Sequence, residues 1–130
     1  MNNKKSEEKQ NTRSKFVVIF EVTPTVNGKA EYFKMGGALK DELQQMPGFI
    51  SVERFASVNN EGKFLSLSFW ESEEAAAGWR NQMNHRKSQK AGHNKLFDCY
   101  HISVGEIVRE YTNLERNEAP SDSNEYLGIK

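Results

Sequence analysis

Hydrophobic positions recur along this chain with two periods, and each change of period marks a new element. Residues 16–23 (F-V-V-I-F-E-V-T) are apolar in both phases, the pattern of a strand covered on both sides. Pro24 and Asn27-Gly28 punctuate it. From 29 to 46, Tyr32, Met35, Leu39, Leu43 and Met46 return at three- and four-residue steps, which predicts an amphipathic helix stopped by Pro47-Gly48. Gly36-Gly37 falls inside that helix at a cost of about 1 kcal/mol per glycine relative to alanine. Close packing against a strand, or room for a ligand, would offset the cost. Residues 49–58 and 63–70 read as two strands joined by Asn59-Asn60-Glu61-Gly62, a hairpin loop. In the second of them Leu65, Leu67 and Phe69 alternate with Ser66 and Ser68, and Phe64 and Trp70 share the serines' face. Ser72 is placed to cap a helix with Glu73 and Glu74 in its first turn and Arg86, Lys87 and Lys90 toward its far end, so charge complements the dipole at both ends. Gly92 ends its regular part, and residues 98–108 alternate again as a last strand.

The order β-α-β-β-α-β predicts an α+β, ferredoxin-like domain: an antiparallel sheet of four strands with both helices on one face. The other face is then left with Val17, Ile19, Phe49, Phe55, Phe64, Trp70 and Ile107, and a second copy of the sheet is the expected cover, giving a homodimer. Residues 1–14 and about 115–130 have few apolar side chains and read as disordered tails, although Tyr126, Leu127 and Ile129 could dock. The domain therefore spans 15–111, with an N-terminal tail at 1–14 and a C-terminal tail at 112–130.

Composition narrows the class. Lys+Arg and Asp+Glu number 18 each in 130 residues, which argues against nucleic acid or an anionic membrane as the main partner. Cys99 is the single cysteine, so no internal disulfide forms, and it is expected to be a packed thiol. Residues 1–15 lack the apolar region of a secretory signal. No apolar run approaches the roughly 20 residues of a membrane helix. A soluble, cytoplasmic protein is expected.

Candidate chemistry gathers on the second helix. Trp79 follows the small run Ala75 to Gly78, and Arg86 lies seven residues on, nearly in line with it. Gln82 and Met83 lie between, and His85 and Gln89 flank the stripe. An apolar slot holding an indole N–H, an amide and a cation suits a flat, oxygenated aromatic molecule; equally, Trp79 and Met83 suit plain core beneath the helix. His85 reads as a general base or as a solvated basic turn. Glu21 stands alone in an apolar strand: buried in a cavity it would have a raised pKa and become a second candidate base, whereas at the wet end of the strand it would not. Tyr100 faces either the cavity or the dimer interface. His93 and His101 have no partner at metal-ligand spacing, so no metal site is expected.

The strand end F-W-E-S, the helix W-R-N-Q-M-N-H-R-K-S-Q-K-A-G and the strand F-D-C-Y-H-I-S-V-G-E-I-V-R-E-Y together resemble the antibiotic biosynthesis monooxygenase (ABM) domain, over about residues 15–111. The resemblance, carried by W-x5-H-R-x2-Q-x2-G and the element order, implies ferredoxin-like subunits paired into a dimeric α+β barrel. It also implies oxidation without flavin, haem or metal, in which a bound phenol or quinol is deprotonated and itself reduces dioxygen. Trp79 would then be the pocket indole, with Arg86 and Gln89 stabilising developing negative charge and His85 or Glu21 as base. A sister branch degrades haem with a first-strand asparagine, this tryptophan and an iron-ligating histidine. Here those positions read as Glu21, Trp79 and Gln89, so haem is the alternative ligand, with His85 one turn from the ligand position. A ligand-binding protein without turnover is the third reading. The expected function is thus a cofactor-independent monooxygenase of a small aromatic compound.

Overall fold

The computed structural model describes residues 15–91 and 97–129, with side chains of the second helix described through Gln82. The elements are β1 (Phe16–Pro24), α1 (Lys29–Gln44), β2 (Phe49–Ala56), β3 (Phe64–Trp70), α2 (Glu73–Ala91), β4 (Phe97–Glu106) and a short α3 (Ser121–Leu127). The four strands form one antiparallel sheet in the order β2-β3-β1-β4. β1, the most continuously apolar strand, accordingly takes an inner position. α1 lies over β2 and α2 over β1 and β3, on the same face, so the ferredoxin-like arrangement is present as the periodicity predicts.

Local chemistry sets the element ends. The Ser72 hydroxyl accepts the Ala75 N–H at 3.1 Å and starts α2, with Glu73 and Glu74 in the first turn. Thr25 accepts the Gly28 N–H on its side chain at 2.9 Å just before α1. Gly48 takes φ +80° in the turn after α1, and its carbonyl accepts the Glu71 N–H at 2.8 Å.

The registers assign the two faces of the sheet. Val18, Phe20 and Val22 of β1 are buried beneath the helices, and their direct partners on β3 are Ser68, Ser66 and Phe64. The serine face of β3 is therefore the helix-covered face. This corrects the expected placing of Phe49, Phe64 and Trp70 on the far side: Trp70 is completely buried, with Phe49 edge-on to its ring at 5.4 Å. The reason is a satisfied indole, because Trp70 Nε1 donates to Ser68 Oγ at 2.9 Å inside the core. The far face carries Val17 and Ile19, as expected, together with Leu65, Leu67 and Phe69, all half-buried in the single chain. Cys99 is exposed on that face rather than packed.

Residues 107–129 hold more structure than their composition suggests. Arg116 donates to Asn124 Oδ1 at 2.7 Å, to Ser123 Oγ at 3.1 Å and to the Thr112 carbonyl at 3.1 Å, and lies 5.2 Å over the Tyr111 ring. A polar hub thus organises a segment that has no core of its own. No helix among the described residues is long and apolar enough to cross a membrane.

Candidate active site

Two apolar clusters form beneath the helices. Val18, Leu39, Leu43, Trp70, Ala76 and Trp79 make one, and Phe20, Val22 and Tyr32 make the other. Between and beside them α1 and the sheet leave a cavity of about 290 Å³. Its existence follows from residue size. Ser66 and Ser68 face it from β3, two small residues where larger ones would have closed the gap, and Gly36 lines it from α1. Leu39, Leu43, Met35 and Val52 supply apolar wall, Phe20 and Phe97 border it on the other side, and Trp79 reaches in from α2.

Trp79 is 6% exposed, and its indole N–H has no hydrogen-bond partner among the described residues. The small run before it does what its composition suggests. Ala76 is buried against the sheet, and a Cβ placed on Gly48 would fall 2.6 Å from that of Ala75, so this end of α2 sits directly on the turn after α1. Tyr32 forms another wall; burial pushes its phenol up, while the guanidinium of Arg54 opposes the shift. The phenol is therefore protonated at neutral pH and available as a donor.

Of the other residues singled out from the sequence, Tyr100 lies on the helix side of β4, against Phe20 (5.9 Å) and Phe97 (6.1 Å), and is 52% exposed at the edge of this aromatic group. Gln82 does not line the cavity; its amide donates to Glu42 Oε1 at 3.0 Å and ties α2 to α1. Glu21 is on the far face of the sheet, paired with Lys63 at 3.1 Å and His101 at 3.3 Å. Hydrogen bonds from Lys63 and His101 hold its carboxyl below the usual range, so it is neither buried in the cavity nor poised as a base there. The first-strand position that looks into the cavity is Phe20. Met83, His85, Arg86 and Gln89 lie on the α2 backbone, but their side chains fall outside the described residues.

The residue that sequence reasoning missed is Arg54, on β2 directly opposite Ser66 and at the cavity mouth. Its guanidinium lies 5.7 Å from the Tyr32 ring and 5.6 Å from the Phe33 ring. The Gly36-Gly37 pair was the one signal for it, since a Cβ on Gly36 would come within 2.7 Å of Arg54 Cζ. The site so described is a mostly apolar chamber with a tryptophan, two serines and a tyrosine among its lining residues and a cation at its mouth. Such a set has the chemistry to take a compact apolar molecule and to offer donors to an oxygen on it. Among the described residues no group of three or more His, Cys, Asp or Glu side chains could hold a metal ion.

The profile of the antibiotic biosynthesis monooxygenase family matches residues 16–91. Jasmonate monooxygenase ABM of Pyricularia oryzae is 35% identical over 93 residues, which are 72% of this chain and 43% of that protein. The chain thus spans less than half the length of this curated relative. Among solved structures, Rv0793 of Mycobacterium tuberculosis matches with a TM-score of 0.63 at 17% identity, over 76% of this chain and 100% of that one. The haem-degrader MhuD of the same organism, with two haems bound in its active site, matches with a TM-score of 0.56 at 22% identity, over 75% of this chain and 99% of that one. At these identities the solved structures speak for the fold alone.

Proposed function

The chain belongs to the antibiotic biosynthesis monooxygenase family, and on that footing we propose that it is a monooxygenase that oxidises a small, mostly apolar phenol- or quinol-like compound without a bound cofactor. The observation that carries the reading is the chamber beneath the helices lined by Trp79, whose indole N–H has no partner among the described residues. In a phenol-to-quinone conversion the substrate loses its phenolic proton and supplies the electrons to dioxygen. One oxygen atom enters the product and the other leaves as water. The chain's part is to exclude water, orient the ring and stabilise the anion. Trp79 N–H and the Ser66 and Ser68 hydroxyls are the donors within the chamber, and Tyr32 O–H lies at its wall. With Glu21 on the other side of the sheet, His85 is the base in this reading.

The test is oxygen uptake by purified protein, freed of metal and flavin, against a panel of phenols and quinols. Trp79→Phe removes the indole donor and is expected to lower kcat at least about tenfold. Unchanged turnover would sink the assignment of Trp79. His85→Ala should flatten the dependence of kcat on pH if His85 takes the phenolic proton.

Haem is the second reading, favoured by the likeness to the MhuD fold. The described lining does not suit it. Glu21, where the resemblance places an asparagine, turns away from the cavity toward Lys63 and His101, and no imidazole is among the described lining residues. A haemin titration decides: a saturable Soret shift that bleaches on reduction in air selects haem breakdown, and a featureless titration rejects it.

The proposal includes a homodimer joined through the far sheet face. The apolar residues Val17, Ile19, Leu65, Leu67 and Phe69 support it, because the two long helices among the described residues cover the opposite side.

A further inference from the structure

We propose that Arg54 makes the cavity selective for a small amphipathic carboxylate, with the apolar body inside and the carboxylate held at the mouth by the guanidinium. The inference rests on the cavity being the substrate site and adds the charge class of what enters it.

Three features of the mouth carry the argument. First, Arg54 is held by ring faces. Its guanidinium lies 5.7 Å from the Tyr32 ring and 5.6 Å from the Phe33 ring, and no carboxylate pairs with it among the described residues. The two rings hold the guanidinium in place, and with one donor given to the Tyr32 oxygen its other N–H groups remain for a second partner such as a carboxylate. Second, α1 is built around this side chain. Gly36 leaves open the space that the guanidinium fills, since a Cβ there would come within 2.7 Å of Arg54 Cζ. A helix-interior glycine costs about 1 kcal/mol relative to alanine, so the seat exists at the expense of helix propensity. Third, the described lining carries two cations, Arg54 and Lys40, against one carboxylate, Glu53. The chamber behind them is walled by Leu39, Leu43 and Trp79. An apolar chamber with net positive charge at its entrance favours a ligand with one apolar end and one anionic end.

The experiment is calorimetric titration of the full chain with arylalkanoates, phenylacetate through phenylbutanoate, each paired with its uncharged methyl ester. The carboxylate is expected to bind about tenfold more tightly than its ester at low salt, with the difference shrinking as salt rises. Arg54→Gln should equalise the two, and Arg54→Lys should keep part of the preference because it retains the charge and loses the planar fork. Arg54 is exposed, so both variants should fold, and far-ultraviolet circular dichroism checks this. Equal affinities in the unmodified protein, or a preference that survives in Arg54→Gln, would overturn the role of Arg54 while leaving the cavity as the site. Ser66→Leu, which fills the chamber, separates the other failure. If no pair binds, or if binding is indifferent to Ser66→Leu, the cavity is not the substrate site and both readings fall.

Discussion

Glu21 shows how one register step decides what a carboxylate does. It sits in β1 between Phe20 and Val22, both buried beneath the helices, and points the other way, to Lys63 and His101. Its pKa is depressed, with the hydrogen bond from Lys63 the first cause and that from His101 the second. A carboxyl whose folded pKa lies below its unfolded value of 4.5 stabilises the fold at neutral pH and loses that contribution as pH falls through the folded value. Urea denaturation of Glu21→Gln and the unmodified protein, from about pH 7 down to about pH 3, should therefore show a small gap that is constant above the unfolded value and closes in acid. A gap that widened in acid would contradict the pairing. The sequence offered Glu21 as either a buried base or a wet carboxylate, and only the pleat, which it shares with Ile19 rather than with Phe20, settles the choice.

Among the elements, α1 gives the sharpest contrast, because its two adjacent glycines have opposite surroundings. A Cβ on Gly37 would meet nothing within 4 Å, whereas one on Gly36 would press on the Arg54 guanidinium. Gly37→Ala is expected to raise stability by about 1 kcal/mol in thermal melts and leave ligand preference alone. Gly36→Ala should gain similar helix propensity but displace Arg54 and erase the carboxylate preference. Equal behaviour of the two variants would mean that Gly36 is no seat. Gly48→Ala is a third case: φ +80° and the Ala75 Cβ at 2.6 Å both oppose it, so a loss of more than about 1 kcal/mol is expected. The elements themselves were legible because periods of two and of three to four residues are strong signals in this chain. The phase of β3 was not. Leu65, Leu67 and Phe69 look like the core side until the far face is also apolar and the covered face must keep small residues beside a chamber. Arg54 was hidden for a related reason, since no periodicity in F-I-S-V-E-R-F-A says that an exposed strand arginine closes over rings of the helix above it.

For the molecule as a whole, the sheet divides two duties: one face encloses the chamber and the other carries an apolar stripe. If that stripe is the seam of a dimer, light scattering should give the mass of two 14.9 kDa chains, and Leu67→Arg should give one. A single-chain mass for the unmodified protein at micromolar concentration would reject the dimer. Trp79 was readable from the sequence as the residue to test, and its seat on the chamber wall agrees with the small run that precedes it. The side chains from Met83 to Gln89 fall outside the described residues, and the described lining beside Trp79 comes from α1 and the sheet. The two tryptophans, finally, turn the molecule into its own optical gauge. Trp70 is sealed and its N–H is satisfied by Ser68, whereas Trp79 borders the chamber and its N–H has no partner among the described residues. A ligand that enters should perturb the emission of Trp79 alone, and Trp79→Phe would leave Trp70 as a silent lamp against which every titration can be read.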